Sequence, residues 1–465
     1  MILRSHAKRQ RERERDRDRI SELPEPLIHH IFSLLPIKSV VSTSILFTKW
    51  RYLWTSIPIL DFHNWRSQKY SGAKETNAFM GFVDRVLSFR QDLHSPNIKK
   101  FCLDFDYTFD NSRVREWIFT VMRHKVEELV LSDRSGSMYP LCLFTSESLT
   151  MLEISKSYLE LPASVYFLKL KILRLGVKFW DQLIPKLLSA SPVLEELNLQ
   201  VCARDMQYLS IFGPNLKRLF INGLINQNFN IQIDAPNLQS LKYSSILMKE
   251  FVQHNFSTLH DAEAILSRSA NRLRERGVLG YLATKLFHNF SYVKRLAISD
   301  YSLKLLTYQD RFLKSLPSFY NLIHLEIRSA RLEFAYKFGD ECSLQCWVVG
   351  KLLNFLHVLP NLESLTVADG FCYYELCPYY YWSLDLIPQC MLFHLKTIEF
   401  RGFFWNLFEK DLVRLFLKNA IVLQTVRITI SDRSFYLPTT DYKKIVLDEI
   451  VSYPRGSADC VFHVY

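Results

Sequence analysis

The stretch 214–243, PNLKRLFINGLINQNFNIQIDAPNLQSLKY, contains one short pattern twice. In each copy an apolar residue follows a Pro-Asn pair, and two more apolar side chains come three and five positions later, as in Leu216, Leu219 and Ile221. The last two are separated by one residue, so along a β-strand their side chains point to the same face. Each copy therefore predicts a short strand with one buried face.

The pattern recurs along most of the chain. Its central residues are 21–28 positions apart over the first six intervals, and later up to 40 apart. A recurring L-x-x-L-x-L of this length is the signature of leucine-rich repeats, whose strands stack in parallel because one repeat cannot bury its own apolar edge. An ordinary α/β domain with coincidental spacing is the alternative, and thirteen copies argue against it. The central residues are Phe101, Leu129, Leu152, Leu173, Leu197, Leu219, Leu241, Ala262, Leu296, Leu325, Leu365, Ile398 and Val426.

The segments that return from one strand to the next are helical in places. Leu183, Leu187 and Leu188 before Pro192 have helical spacing, and a similar group, Leu352, Leu353 and Leu356, precedes Pro360. The lengthening of the later repeats predicts an irregular α/β solenoid with parallel strands on its concave face. Insertions are expected at 244–292 and 328–360.

A different pattern precedes the repeats, in the stretch DRISELPEPLIHHIFSLLPIKSVVSTSILFTKWRYLWTSIPILDF at 18–62. Leu27, Ile31, Leu34 and Leu35 lie on one face of a first helix, which Pro36 ends because proline has no N–H to continue it. A second helical segment has Leu46, Trp50 and Leu53 at helical spacing. So short a module cannot bury all its large apolar side chains, which predicts an apolar face for another protein. An N-terminal helical cap on the repeats is the alternative.

This stretch resembles an F-box of the plant type through Leu23-Pro24, Leu34-Leu35-Pro36, Trp50-Arg51 and Leu60-Asp61-Phe62. The resemblance implies docking on a Skp-type adaptor and, through it, on a cullin–RING ubiquitin ligase. It departs from the family at Phe47-Thr48-Lys49, where a small polar residue and two basic residues are usual, and this difference can weaken adaptor affinity. The residues implied to contact the adaptor are Leu23, Pro24, Leu27, Ile31, Leu34, Leu35 and Pro36.

The segment 390–430 resembles the FBD region at the C-terminal end of plant F-box/leucine-rich-repeat proteins. The resemblance rests on Cys390, Leu395-Lys396, Gly402-Phe403 and Asn419-Ala420. The physical pattern is strand, turn, amphipathic helix and strand, which is one more repeat-like unit. No biochemical role follows from these residues.

Five segments are predicted from these patterns. The first, 1–17, is a charged tail with no packed structure, and it is followed by the F-box at 18–62. A helical connector at 63–97, with Phe79, Val83 and Val86 on one helix face, leads into the repeats at 98–389. The FBD-like region and the last repeats occupy 390–465.

Composition and charge limit the function. The chain has 465 residues, 48% of them hydrophobic, and a net charge of +11, of which residues 1–19 supply +4. That tail alternates in sign, and the body has no dense basic block, so nucleic acid is not an expected partner. No apolar run approaches 18 residues, and the N-terminus has no signal-peptide core. We therefore expect a protein of the nucleus or cytoplasm with reduced cysteines.

No motif of a known catalytic or cofactor site is present, so we expect no enzyme activity, no cofactor and no metal. The pairs Cys342–Cys346 and Cys372–Cys377 lack the tight spacing of a zinc site. An aromatic cluster that includes Tyr379, Tyr380 and Trp382 is the best candidate for contacting a target, with core packing as the alternative.

The function implied by the resemblance is that of the substrate-recognition subunit of an SCF-type (Skp–cullin–F-box) ubiquitin ligase. The F-box would bind the adaptor, and the repeats would bind a target protein. The alternative is a leucine-rich-repeat scaffold or ligand sensor that is not coupled to ubiquitination.

Overall fold

The fold is that of a computed structural model. It describes residues 23–43, 53–63, 73–92, 98–134, 138–178, 182–203, 208–225, 229–254, 256–267, 276–328, 346–368, 386–405, 407–431 and 440–465. The chain forms two compact units, Met1–Val177 and Lys178–Tyr465, and each is treated by itself.

The first unit starts with short helices and continues as parallel strands. Its helices are α1 (Glu25–Ser33), α2 (Ile37–Thr43), a 3₁₀ turn (Leu53–Ser56), α3 (Ala73–Asp92), α4 (Asn111–Arg123) and α5 (Leu141–Phe144). Its strands are β1 (Ile59–Phe62), β2 (Lys100–Phe105), β3 (Glu128–Asp133), β4 (Thr145–Ser146), β5 (Met151–Tyr158), β6 (Tyr166–Phe167) and β7 (Ile172–Lys178). The main sheet has the order β1-β2-β3-β5-β7, and β4 pairs with β6.

The stack of strands begins earlier than the repeat pattern indicates. Leu60 of β1 is the register partner of Phe101 in β2, which in turn faces Leu129 in β3. The last residues of the F-box-like stretch are thus the first strand of the repeat sheet, because Leu60 and Phe62 alternate as the repeat leucines do. The strand that the sequence places at Ile98 is the second one.

The second unit continues the same pattern with longer and more varied returns. Its helices are α6 (Leu183–Ser189), α7 (Arg276–His288), α8 (Asp300–Leu306), α9 (Asp310–Ser315), α10 (Cys346–Leu356), α11 (Gln389–Phe393), α12 (Leu407–Asn419) and α13 (Thr440–Val451). Its strands are β8 (Glu196–Ala203), β9 (Tyr208–Phe212), β10 (Arg218–Ile225), β11 (Asn230–Asp234), β12 (Ser240–Ile246), β13 (Glu250–His254), β14 (Asp261–Ser267), β15 (Arg295–Ser299), β16 (His324–Arg328), β17 (Ser364–Val367), β18 (Thr397–Phe403), β19 (Thr425–Ile430) and β20 (Val461–Val464).

The predicted central residues form one continuous row in this sheet, whose order is β8-β10-β12-β14-β15-β16-β17-β18-β19-β20. Adjacent members of the row are direct register partners in parallel strands, and all of them are buried except Phe462, the last, which is half-buried. This confirms the stacked parallel repeat, and the row ends one strand beyond the last predicted copy. Its members are Leu197, Leu219, Leu241, Ala262, Leu296, Leu325, Leu365, Ile398, Val426 and Phe462.

Pro-Asn pairs connect successive repeats in the regular part of the unit. The Asn215 side chain donates to the carbonyl of Pro192 at 2.8 Å, and Asn237 donates to Pro214 at 2.7 Å. Each asparagine thus supplies a hydrogen bond to a backbone carbonyl in the turn of the preceding repeat. This explains why the pair recurs at the repeat period.

The return segments are of two kinds. The predicted helical returns are confirmed by α6 and α10, whereas β9, β11 and β13 return as a second parallel sheet in the order β13-β11-β9. The interval 244–292 was expected to hold insertions, and that expectation is wrong for its first half. It contains β13 and β14, and the repeat was weak there because β14 has Ala262 and Ala264 at the leucine positions.

The FBD-like segment has the predicted order of strand, helix and strand, formed by β18, α12 and β19. Within the described ranges, none of the helices is both long and apolar enough to cross a membrane.

Candidate functional site

Helix α1 has two apolar faces that meet different surroundings. Ile28 and Phe32 pack inward, with 2% and 3% of their surfaces exposed. Leu27, Ile31 and Leu34 face outward and are 51%, 44% and 73% exposed. An exposed row of large aliphatic side chains on a helix is unusual for a protein surface unless another protein covers it.

The outward face is extended at both ends by the predicted proline positions. Pro24 lies before the first turn, where its carbonyl accepts from the backbone N–H of Ile28, and Pro36 begins α2 by accepting from Val40. Pro24, Leu35 and Pro36 are exposed, and Leu23 is half-buried. The residues assigned to adaptor contact thus together form one apolar surface, called here the α1 face. Its members are Leu23, Pro24, Leu27, Ile31, Leu34, Leu35 and Pro36. Leu46, Trp50 and Phe47-Thr48-Lys49 lie outside the described residues.

The opposite side of α1 is held by the segment that follows. His29 Nε2 lies 3.2 Å from the Ser56 hydroxyl, and His30 is exposed. Behind this segment, the guanidinium of buried Arg90 in α3 donates from Nη1 to the carbonyl of Ile57 at 2.7 Å. The α1 face is therefore presented by a module that is attached to the first strand through packing and hydrogen bonds.

A cluster of three chemically active side chains lies where that module meets the first strands. The Asp61 carboxylate accepts from the backbone N–H of His63 at 2.9 Å, and its Oδ1 is 3.1 Å from His63 Nδ1. Cys102, on β2, is the register partner of Asp61. The hydrogen bond that the His63 ring donates to Asp61, with a further contribution from Cys102, raises the pKa of His63 to about 10, so the ring is positively charged at neutral pH.

The sequence did not indicate this cluster, because about 40 residues separate Asp61 from Cys102. One signal was present. Leu60-Asp61-Phe62 has the same alternation as Phe101-Cys102-Leu103, and aligning the two as neighbouring repeat strands would have placed Asp61 beside Cys102.

Ion pairs form a chain along the solvent-exposed face of the second-unit sheet. This chain is called here the strand-face network. Arg328 binds Glu263 at 2.8 Å across the intervening strand β15, where the small Ala297 leaves room. Arg328 also binds Glu326 at 2.7 Å, and Arg401 lies 3.9 Å from Glu326. The network is completed at its two ends by Lys242, 3.5 Å from Glu263, and by Glu399, 2.7 Å from Arg401.

Each charge in this network has an opposite partner, so the network itself carries no net charge to attract a highly charged target. The candidate target-contacting residues Tyr379, Tyr380 and Trp382 lie outside the described residues.

Comparisons with known proteins match three parts of the chain. The F-box domain model matches residues 20–62, and the FBD model matches residues 385–428. A model described as the leucine-rich repeats of the FBD-associated F-box protein At5g56370 matches residues 114–307.

Several Arabidopsis thaliana proteins are similar over most of the chain. F-box/LRR-repeat protein At4g14096 is 33% identical over 74% of this chain and 72% of its own length. FBD-associated F-box protein At1g66310 is 30% identical over 95% of this chain and 94% of its own length. F-box/FBD/LRR-repeat protein At2g26030 is 28% identical over 95% of this chain and 98% of its own length. With the parallel repeat sheet and the helical module before it, these matches show that the chain belongs to the plant family of F-box proteins with leucine-rich repeats and an FBD region.

Proposed function

We propose that this chain is the substrate-recognition subunit of an SCF-type ubiquitin ligase. The α1 face would bind a Skp-type adaptor and, through it, a cullin–RING ligase. The observation that carries the proposal is the exposure of Leu27, Ile31 and Leu34, opposite the buried Ile28 and Phe32. A helix that only capped the repeats would turn its larger apolar row inward.

The mechanism is positional. The repeats would hold a target protein near ubiquitin carried by other subunits, which raises the effective concentration of the reacting groups. No residue of this chain is proposed to make or break a bond. The target is proposed to bind on the strand face of the repeats or the loops beside it, because solenoids present extended surfaces there. We propose the nucleus or cytoplasm as the place of action.

Adaptor binding tests the proposal directly. We expect Leu27→Asp/Leu34→Asp to reduce capture of a purified Skp-type adaptor at least about tenfold, because two charges would have to be buried in an apolar contact. Both positions are exposed in the free chain, so the variant should keep its fold. Capture is measured by pull-down and by titration calorimetry, with circular dichroism as the check on folding.

Val278→Asp is the matched control, since it makes the same exchange at an apolar side chain that is exposed on α7. It should bind the adaptor as the wild type does. A folded wild type that captures no adaptor would contradict the proposal and favour a repeat scaffold or ligand sensor that is not coupled to ubiquitination.

A further inference from the structure

Asp61, His63 and Cys102 place three different metal-binding atoms together. A carboxylate oxygen, a ring nitrogen and a sulfur all lie within 4.8 Å of one another, and no other such group of three occurs among the residues that the structure describes. We propose that this cluster binds a zinc ion, which would tie β1, at the end of the F-box module, to the neighbouring strand β2. The proposal does not depend on the ubiquitin-ligase function.

The position of the three residues is set by the backbone. Asp61 and Cys102 are register partners on neighbouring parallel strands, so both side chains point to the same face of the sheet. His63 follows β1 directly, and its backbone N–H is held by the Asp61 carboxylate at 2.9 Å. The ligand atoms are thus brought together by elements that are needed for the fold in any case.

The distances suit a small ion after a modest adjustment. Zinc binds nitrogen, oxygen and sulfur at about 2.0–2.3 Å, so donors in a tetrahedral site lie about 3.3–3.8 Å apart. Asp61 Oδ1 and His63 Nδ1 are already 3.1 Å apart, and the remaining separations have 4.8 Å as their upper limit. Rotation of these side chains about their own bonds can bring the three atoms to the required spacing.

The chemistry of the ligands selects the ion. A thiolate with an imidazole and a carboxylate favours a borderline metal such as zinc, whereas magnesium and calcium prefer oxygen ligands alone. Cys102 is buried at 3% exposure, while the side chains of Asp61 and His63 are partly exposed. An ion would therefore be coordinated by Cys102 on its buried side and would keep one coordination position open to water. Binding would release the thiol proton of Cys102 and the ring proton of His63 to solvent.

The test uses the purified full-length chain, reduced and free of chelators, titrated with Zn²⁺ and, as a spectroscopic probe, with Co²⁺. We expect a bound ion that gives a thiolate-to-cobalt charge-transfer band with Co²⁺ and is released by a chelator. Cys102→Ser should abolish the band, and His63→Asn should weaken zinc binding at least about tenfold. Zn²⁺ should also raise the melting temperature of the wild type but not that of Cys102→Ser.

Cys142→Ser is the matched control, because Cys142 is a half-buried free thiol elsewhere in the first unit. It should keep the band, the affinity and the shift in melting temperature. The absence of a thiolate–cobalt band in the wild type would overturn the proposal. Binding that neither Cys102→Ser nor His63→Asn changes would also overturn it, since the metal would then lie at another site. If Cys102→Ser fails to fold, His63→Asn, whose position is partly exposed, carries the test.

Discussion

Arg90 shows how a single residue joins the connector helix α3 to the end of the F-box-like stretch. Its side chain has no exposed surface, and burial lowers the pKa of the guanidinium to about 10. It lies three positions after Leu87 and seven after Val83, so it continues the apolar face of α3 that the sequence predicts. The guanidinium is therefore carried into the core, where it donates to the Ile57 carbonyl just before β1.

We expect Arg90→Met to lower the free energy of unfolding by about 1–3 kcal/mol. Methionine retains much of the apolar stem, but the buried carbonyl of Ile57 loses a hydrogen-bond donor. Urea unfolding followed by tryptophan fluorescence measures the change. Arg85→Met is the control, because Arg85 is exposed on the same helix, and its effect should stay within about 0.5 kcal/mol. Equal losses of unfolding free energy in the two variants would show that the hydrogen bond from Arg90 to Ile57 does not stabilise the protein.

The repeat register is the clearest property at the scale of the element. The spacing of apolar residues predicted which residue of each strand lies beside which, as the row from Leu197 to Val426 shows. Whether a segment between two repeat strands forms a helix or a strand was harder to predict. Segments with helical spacing, such as Leu183–Ser189, form helices, but β9, β11 and β13 are short alternating stretches whose strand state depends on pairing with one another. Such pairing is a contact between repeats, which the pattern within one repeat does not contain.

Gly280 determines how closely the return helices α7 and α9 of the second unit approach each other. In α7, a Cβ at Gly280 would lie 2.5 Å from the ring of Phe312 in α9 and 3.1 Å from the carbonyl oxygen of Leu305 in α8. Phe312 is itself buried, at 5% exposure, so its ring has little space to move. Here glycine permits a contact that any larger residue would block.

We expect Gly280→Ala to destabilise the protein by about 1–3 kcal/mol, because the overlap with Phe312 exceeds the gain of about 1 kcal/mol in helix propensity. Gly277→Ala, in the first turn of the same helix, is the matched control, since no atom lies within 4 Å of its Cβ. That variant should be neutral or stabilising by up to about 1 kcal/mol. Thermal unfolding of both variants gives the comparison, and effects of the same sign would contradict the packing argument.

At the scale of the whole molecule, ion pairs connect repeats beyond their nearest neighbours. The strand-face network links β12, β14, β16 and β18 of the second unit, passing over Ala297 on β15. The hydrogen bond from Arg328 lowers the pKa of Glu326 below its ordinary 4.5. Because the unfolded chain takes up this proton first, the stabilisation is complete above the ordinary pKa and is lost as the pH falls through the lower folded value.

We expect Glu326→Gln to reduce the acid sensitivity of the second unit. Wild type should lose more stability than the variant between about pH 5 and pH 3, and the variant should be less stable at pH 7 by up to about 1 kcal/mol. Urea midpoints measured across this range test the prediction. Glu250→Gln, at an exposed position on β13, should keep the wild-type slope. A slope unchanged by Glu326→Gln would show that the network does not contribute.

Most of the architecture could be predicted from the sequence because it depends on patterns of apolar residues within short segments of the chain. The alternation of Leu219 and Ile221 specifies a strand with one buried face, and repetition at a nearly constant period specifies parallel stacking. The apolar row of α1 could be predicted for the same reason, since Leu27 and Ile31 lie in one helix and Leu34 directly follows its last residue. What the sequence could not supply is the meeting of residues from different segments. The contact of Asp61 with Cys102, the burial of Arg90 against Ile57 and the bridge from Arg328 to Glu263 all depend on tertiary structure, because strand register and helix packing bring together side chains that are more than 30 positions apart.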